Sequence, residues 1–134
     1  MTGQVDDDRG TITAFVAVVA LALVMVAGMA YDGGQVIAAQ ATARSDAGKA
    51  ARAGAQEIDI AHLRATGEAI LDPARAEAAA LGYLEQAGTP GTVTVDGASI
   101  TVTVSITQPM RILPVPDRTV VVRETATAVD EPIP

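Results

Sequence analysis

His62 is the only histidine in the chain, and with no cysteine present it is the one side chain around which imidazole or thiolate chemistry could be built. A lone imidazole supplies neither a His-based metal cluster nor a hydrolytic triad with a second partner, so His62 reads as a residue on a helix surface or at a helix end. The carboxylates are the other candidates. Glu57 and Asp59 stand two positions apart, which sends them to different sides of a helix, whereas a two-acid hydrolytic site needs them facing one bond. Asp6, Asp7 and Asp8 concentrate charge but lack the spaced oxygen ligands and the glycine of a calcium loop, and read as a solvated tail. Asp32-Gly33-Gly34 has no Gly-Lys-Ser/Thr after it and no strand before it, so it is not a phosphate loop. It reads as the water boundary of an apolar segment, with Tyr31 as the interfacial ring. No catalytic, cofactor-binding or metal residue emerges, and neither an enzyme nor a small-molecule binder is expected.

The elements around these residues say more. The 134 residues leave room for one small domain beside an apolar segment. Net charge is −7, and Arg9, the only basic side chain near the amino terminus, follows three aspartates; there is no basic surface for nucleic acid. Without cysteine the redox compartment stays open. The aromatic residues are Phe15, Tyr31 and Tyr83, so the core must be thin and built from Ala, Val, Ile and Leu.

Residues 11–31, "TITAFVAVVALALVMVAGMAY", carry no charge, and a helix of that length covers about 30 Å, the hydrocarbon thickness of a bilayer. Ile12, Phe15, Val16, Val18, Val19, Leu21, Leu23, Val24 and Val26 favour insertion by roughly 4 kcal/mol in sum. They surround the helix instead of forming a stripe, as a membrane span does and a surface helix does not. Gly28-Met29-Ala30 would also suit a signal peptidase, with Tyr31 as the first mature residue. The apolar region is longer than the usual 7 to 15 residues of a signal, and the segment before it is acidic, so a retained anchor is the favoured reading and a released domain the alternative.

Beyond the span, alanine dominates to about residue 65, and the helix is expected to continue into water, with a weak point at Gly33-Gly34. Ala39, Ala43, Ala47, Ala50 and Gly54 recur at three- and four-residue spacing, which permits close backbone approach. Packing against the domain's own sheet is the plainer use of this stripe; packing against neighbouring subunits is the sharper one.

Arg9-Gly10-Thr11 opening an apolar span, Asp32-Gly33-Gly34 closing it, and the helical "SDAGKAARAGA" at 45–55 together resemble the amino-terminal segment of the TadE/TadG-like proteins of tight-adherence (Flp-type) pilus systems. The resemblance covers roughly residues 9–58. It implies a single-pass membrane protein with a short cytoplasmic tail, an extracytoplasmic carboxyl-terminal part, and other pilin-like or pilus-assembly subunits as partners. Pilin-type precursors are cut after a glycine and typically carry a glutamate five residues later. Counting from Gly10 that position is Phe15, and no acid occurs in 11–31, so an accessory protein is expected and not a filament building block. The charges on either side of the span do not orient it; outward placement follows from the resemblance.

The remainder reads as a helix and strands. Asp72 and Pro73 open a helix over 73–87, which Gly88 and Pro90 close, with Ala76, Ala80, Tyr83, Leu84 and Ala87 on one face. Strands follow at about 92–96, 99–107 and 118–129, with Asp96-Gly97 at a hairpin turn; Ile100, Val102, Val104 and Ile106 point one way and Thr101, Thr103, Ser105 and Thr107 the other. Ile112, Leu113 and Val115, lying among Pro109, Pro114 and Pro116, suit either a partner contact or a loop tucked on the sheet edge. The expected fold is α+β. A tail at 1–10, a transmembrane helix at 11–31 and its continuation at 32–65 lead into a small pilin-like domain at 66–134, with one helix and a three-stranded antiparallel sheet.

Overall fold

The computed structural model describes residues 5–128, and side chains from residue 10 onward. One helix, α1 (Val5–Ala55), occupies 51 residues, a length of about 75 Å. It runs through Gly33 and Gly34 without a break in its helical assignment, so the expected weak point does not interrupt it. Two shorter helices follow, α2 (Ile60–Thr66) and α3 (Pro73–Ala87), then three strands, β1 (Gly91–Asp96), β2 (Ser99–Gln108) and β3 (Arg118–Thr127). The strands pair antiparallel in the order β1-β2-β3. Val129, expected at the end of the third strand, lies outside the described residues.

The long helix ends ten residues earlier than the alanine content suggests. At Ala55 the chain turns, and the Glu57 N–H reaches the Gly54 carbonyl at 3.1 Å. Ile58 then forms an antiparallel bridge with Leu71, so the backbone leaves the helix to pair with a segment that carries a buried leucine. Asp59 caps the next helix, accepting from the backbone N–H of His62 at 2.9 Å. The Thr66-Gly67 stop therefore closes α2, not α1. A capping aspartate costs little mid-helix, but its gain in satisfying free N–H groups favours a new start once tertiary pairing has drawn Ile58 away.

α3 begins and ends where its sequence signals place it. Asp72 accepts from the Arg75 N–H at 3.1 Å, Pro73 stands at the first position, and Gly88 closes the helix. Ala76, Ala80 and Leu84 form its buried face.

The sheet lays one face on α1 and α3. Ile100, Val102 and Val104 of β2 are fully buried, and Val122 of β3 joins them; Thr101 pairs with Thr125 and Thr107 with Thr119 through hydroxyl contacts on the outer face. On α1, Ala43, Ala47, Ala50 and Ala51 are buried in one core with this sheet and α3, and Ala39 is buried as well. The small-residue stripe is thus consumed within the chain, and its use as a surface for neighbouring subunits is excluded for these positions. Small residues are needed because the helix must lie close to β-branched side chains that already fill the space. Ala43→Leu or Ala47→Leu is accordingly expected to destabilise the domain itself by about 1–3 kcal/mol, seen as a lower denaturant midpoint of the isolated chain in detergent.

The architecture is α+β and pilin-like, a long amino-terminal apolar helix whose second half carries a three-stranded antiparallel sheet. The first half of that helix has no such cover. Among residues 11–31 only Gly28 is buried, and Phe15, Val18, Leu21, Leu23 and Val26 each expose more than 60% of their surface. α1 is long and apolar enough to cross a membrane.

Candidate functional site

The junction between the bare and the covered halves of α1 holds the one buried carboxylate among the described residues. Asp32, 1% exposed, receives three backbone donors from the loop between β2 and β3, residues 109–117. The Arg111 N–H donates to Oδ1 at 3.2 Å. The N–H groups of Ile112 and Leu113 donate to Oδ2 at 3.0 and 2.8 Å. Three successive amides converging on one carboxylate make an anion-binding concavity whose anion is supplied by the chain itself.

The loop is built for this contact. Pro109, Pro114 and Pro116 have no N–H to satisfy and restrict the backbone between them. Met110 donates to the Asp117 carboxylate at 3.3 Å, and Val115 donates to the Leu113 carbonyl at 2.9 Å. Every backbone N–H from 110 to 115 therefore has an acceptor within the protein, a complete solution to a problem that loops usually leave to water. The hydrogen bond from Leu113 holds the Asp32 carboxyl below its ordinary value of 3.8; burial opposes that shift, and the bonds from Ile112 and Arg111 reinforce it.

Apolar packing accompanies the clamp. A Cβ at Gly28 would stand 2.7 Å from Ile112 Cγ2 and 3.5 Å from Leu113 Cδ2, so the loop approaches the helix as closely as it does because residue 28 has no side chain. A groove of about 440 Å³ opens beside this contact, with Met29, Val36, Met110, Leu113, Val115 and Arg118 in its walls. Farther along α1, Asp46 accepts from the Thr89 hydroxyl at 2.7 Å, tying the helix to the turn between α3 and β1.

The arrangement fastens the loop to the helix. Both Asp32 oxygens are occupied by amides, which leaves the carboxylate poorly placed to accept a proton from a substrate or to ligate a cation. The other candidates are dispersed. Glu57 pairs with Arg75 at 2.8 Å while Asp59 caps α2, so the two carboxylates serve different partners. His62 stands 3.8 Å from Glu68 through Nε2, which has no hydrogen-bond partner. Asp6, Asp7 and Asp8 lie in α1, and their side chains are outside the described residues. No group of three or more His, Asp or Glu side chains is placed to hold a metal ion among the described residues.

Asp32 was legible only as a boundary marker. Its role depends on residues 79 to 81 positions away. The available clue was a pair of features that a local reading keeps separate: an acid directly after an uncharged span, and a loop whose prolines isolate a short run of free amides. Comparison of the chain with protein-family models, with curated proteins and with solved structures finds no match.

Proposed function

We propose that the protein is a membrane-anchored, pilin-like accessory subunit of a Flp-type (tight-adherence) pilus assembly or related secretion system. Residues 11–31 cross the cell membrane once, and the domain that follows works outside the cytoplasm through contacts with other pilin-like or assembly subunits. The observation that carries this reading is the division of a single helix into two environments. Its first half presents apolar side chains all round, met by the rest of the chain only near Gly28 and Met29, whereas its second half forms the spine of a folded domain. Lipid removes the exposed half from water; few other surroundings do so on every side at once. The Arg-Gly, Asp-Gly-Gly and Ser-Asp-Ala-rich resemblance supplies the particular system.

With Ala43 and Ala47 already used internally, contacts with other subunits fall to the bare half of α1 and to the outer surfaces of the domain. The alternative is a domain secreted after cleavage near Ala30. That cut would fall inside a continuous helix and would remove Gly28, against which Ile112 packs.

Intact mass and amino-terminal sequencing of the protein from native membranes test the reading. The expected result is a membrane-bound chain that is uncut or begins at Thr11. A soluble product beginning at Tyr31 overturns the anchor, and failure to co-purify with pilus-assembly components from the same membranes overturns the assignment to that system.

A further inference from the structure

We propose that the loop at residues 109–117 is a second membrane contact, seated by Asp32 at the depth of the lipid headgroups. Ile112 and Val115 enter the acyl boundary there, and Arg111 and Arg118 meet lipid phosphate. The proposal rests on residues 11–31 spanning a bilayer, and its test separates the two.

Ile112 packs on Gly28, which lies within the uncharged segment and about 4–5 Å along the helix axis from Tyr31. A loop fastened to that residue shares its depth in the membrane. Apolar faces of interfacial segments bury to about 5–10 Å in the same zone.

The loop reads "PMRILPVPD", and its aliphatic side chains are not withdrawn into the domain: Ile112 is 48% and Val115 43% exposed. Val115 shares a groove with Met29, itself 61% exposed, and Ile112 packs on the adjacent Gly28, so one apolar surface runs from the helix onto the loop. Arg111 and Arg118 are exposed beside it. The nearby acids, Asp32 and Asp117, are engaged by the loop's own amides. In a chain of net charge −7, this leaves the arginines available to phosphate oxygens at the level where Arg side chains reach them.

An irregular segment in contact with lipid is costly because its free N–H groups find no water. From 110 to 115 each N–H is either bonded within the protein or replaced by proline. A loop facing bulk water has no need of that arrangement.

The chain contains no tryptophan, so single-tryptophan variants of the full-length protein report position directly. Phe15→Trp, Thr94→Trp, Ile112→Trp and Val115→Trp are each reconstituted into phosphatidylcholine–phosphatidylglycerol vesicles whose acyl chains are brominated near the headgroup. Ile112→Trp and Val115→Trp are expected to give blue-shifted emission, quenching by the brominated lipid and loss of quenching by aqueous iodide; Thr94→Trp on β1 shows the reverse. If Phe15→Trp is shielded from iodide in the vesicles but both loop variants remain open to it, the anchor stands and the second contact is overturned. Loop variants shielded from iodide yet unquenched by bromine also overturn it, because protein and not lipid then covers the loop. If Phe15→Trp is itself open to iodide, the span reading fails and this proposal fails with it.

Discussion

Replacing Asp32 with alanine is expected to raise the hydrogen-exchange rates of the Arg111, Ile112 and Leu113 amides by about tenfold or more, because each loses a charge-assisted acceptor that nothing else in the fold replaces. The three-stranded sheet should survive, since its ladder from Ser99 to Gln108 against β3 does not involve the loop. The loss is therefore local, read as fast exchange and new proteolytic cleavage within 109–117 while β2 stays protected. The same clamp sets a pH dependence. The Asp32 carboxyl is held below its ordinary value of 3.8 by the amides it accepts, so the ionised form is the one the folded loop stabilises. That contribution is complete at pH values above the ordinary one and disappears as the pH falls through the lower, folded-state value. Loop protection, corrected for intrinsic exchange, should stay level from neutrality down to about pH 4 and fall only in more acid solution. Asp32→Asn, which has no charge to lose, should give low protection with no such step. A step at higher pH, or one retained in the Asn variant, would assign the transition to another group.

Gly54→Ala is expected to lower stability by about 1–2 kcal/mol net, although the same exchange in an open helix interior gains roughly 0.5–1 kcal/mol. A Cβ at residue 54 meets the Ile100 side chain and stands 2.8 Å from the Ala76 carbonyl oxygen. The isoleucine tip can rotate, but the carbonyl belongs to the α3 backbone and moves only if the helix moves. Gly48→Ala is the matched control. It lies on the same helix, with only the Arg52 guanidinium at 3.8 Å, and should stabilise the chain by the propensity gain. Denaturant midpoints of the two variants in one detergent are expected to shift in opposite directions. A stabilised Gly54→Ala protein would mean that α1 and α3 do not approach as described.

Gly48 and Gly54 sit in one alanine-rich stretch, "AGKAARAGA"; helical spacing puts Gly54 and not Gly48 in line with Ala43, Ala47 and Ala50, but it does not say what that line meets. The difference arises because α3 crosses α1 at one and not at the other. The early end of α1 has the same origin. Alanine content favours continuing past Ala55, and the bridge from Ile58 to Leu71 outweighs that weak preference with a pairing that sequence proximity does not announce. By contrast, α3 was legible to its ends, because Asp72, Pro73 and Gly88 act on the backbone within one turn. The inward set Ile100, Val102 and Val104 was legible from alternation, because a strand's side-chain period is fixed by its own geometry.

From the sequence by itself came an uncharged segment of bilayer length, a helix of small residues after it, a capped helix and three alternating strands, and hence an α+β chain with an apolar amino-terminal rod. Each is a property of residues interacting with their immediate neighbours or with solvent. Only the tertiary structure decided that the alanine stripe is spent inside the chain, and that Asp32 gathers the amides of a loop some 80 residues away. Those outcomes depend on which surfaces meet after the chain has closed, and a carboxylate in a sequence carries no mark of the donors that will surround it.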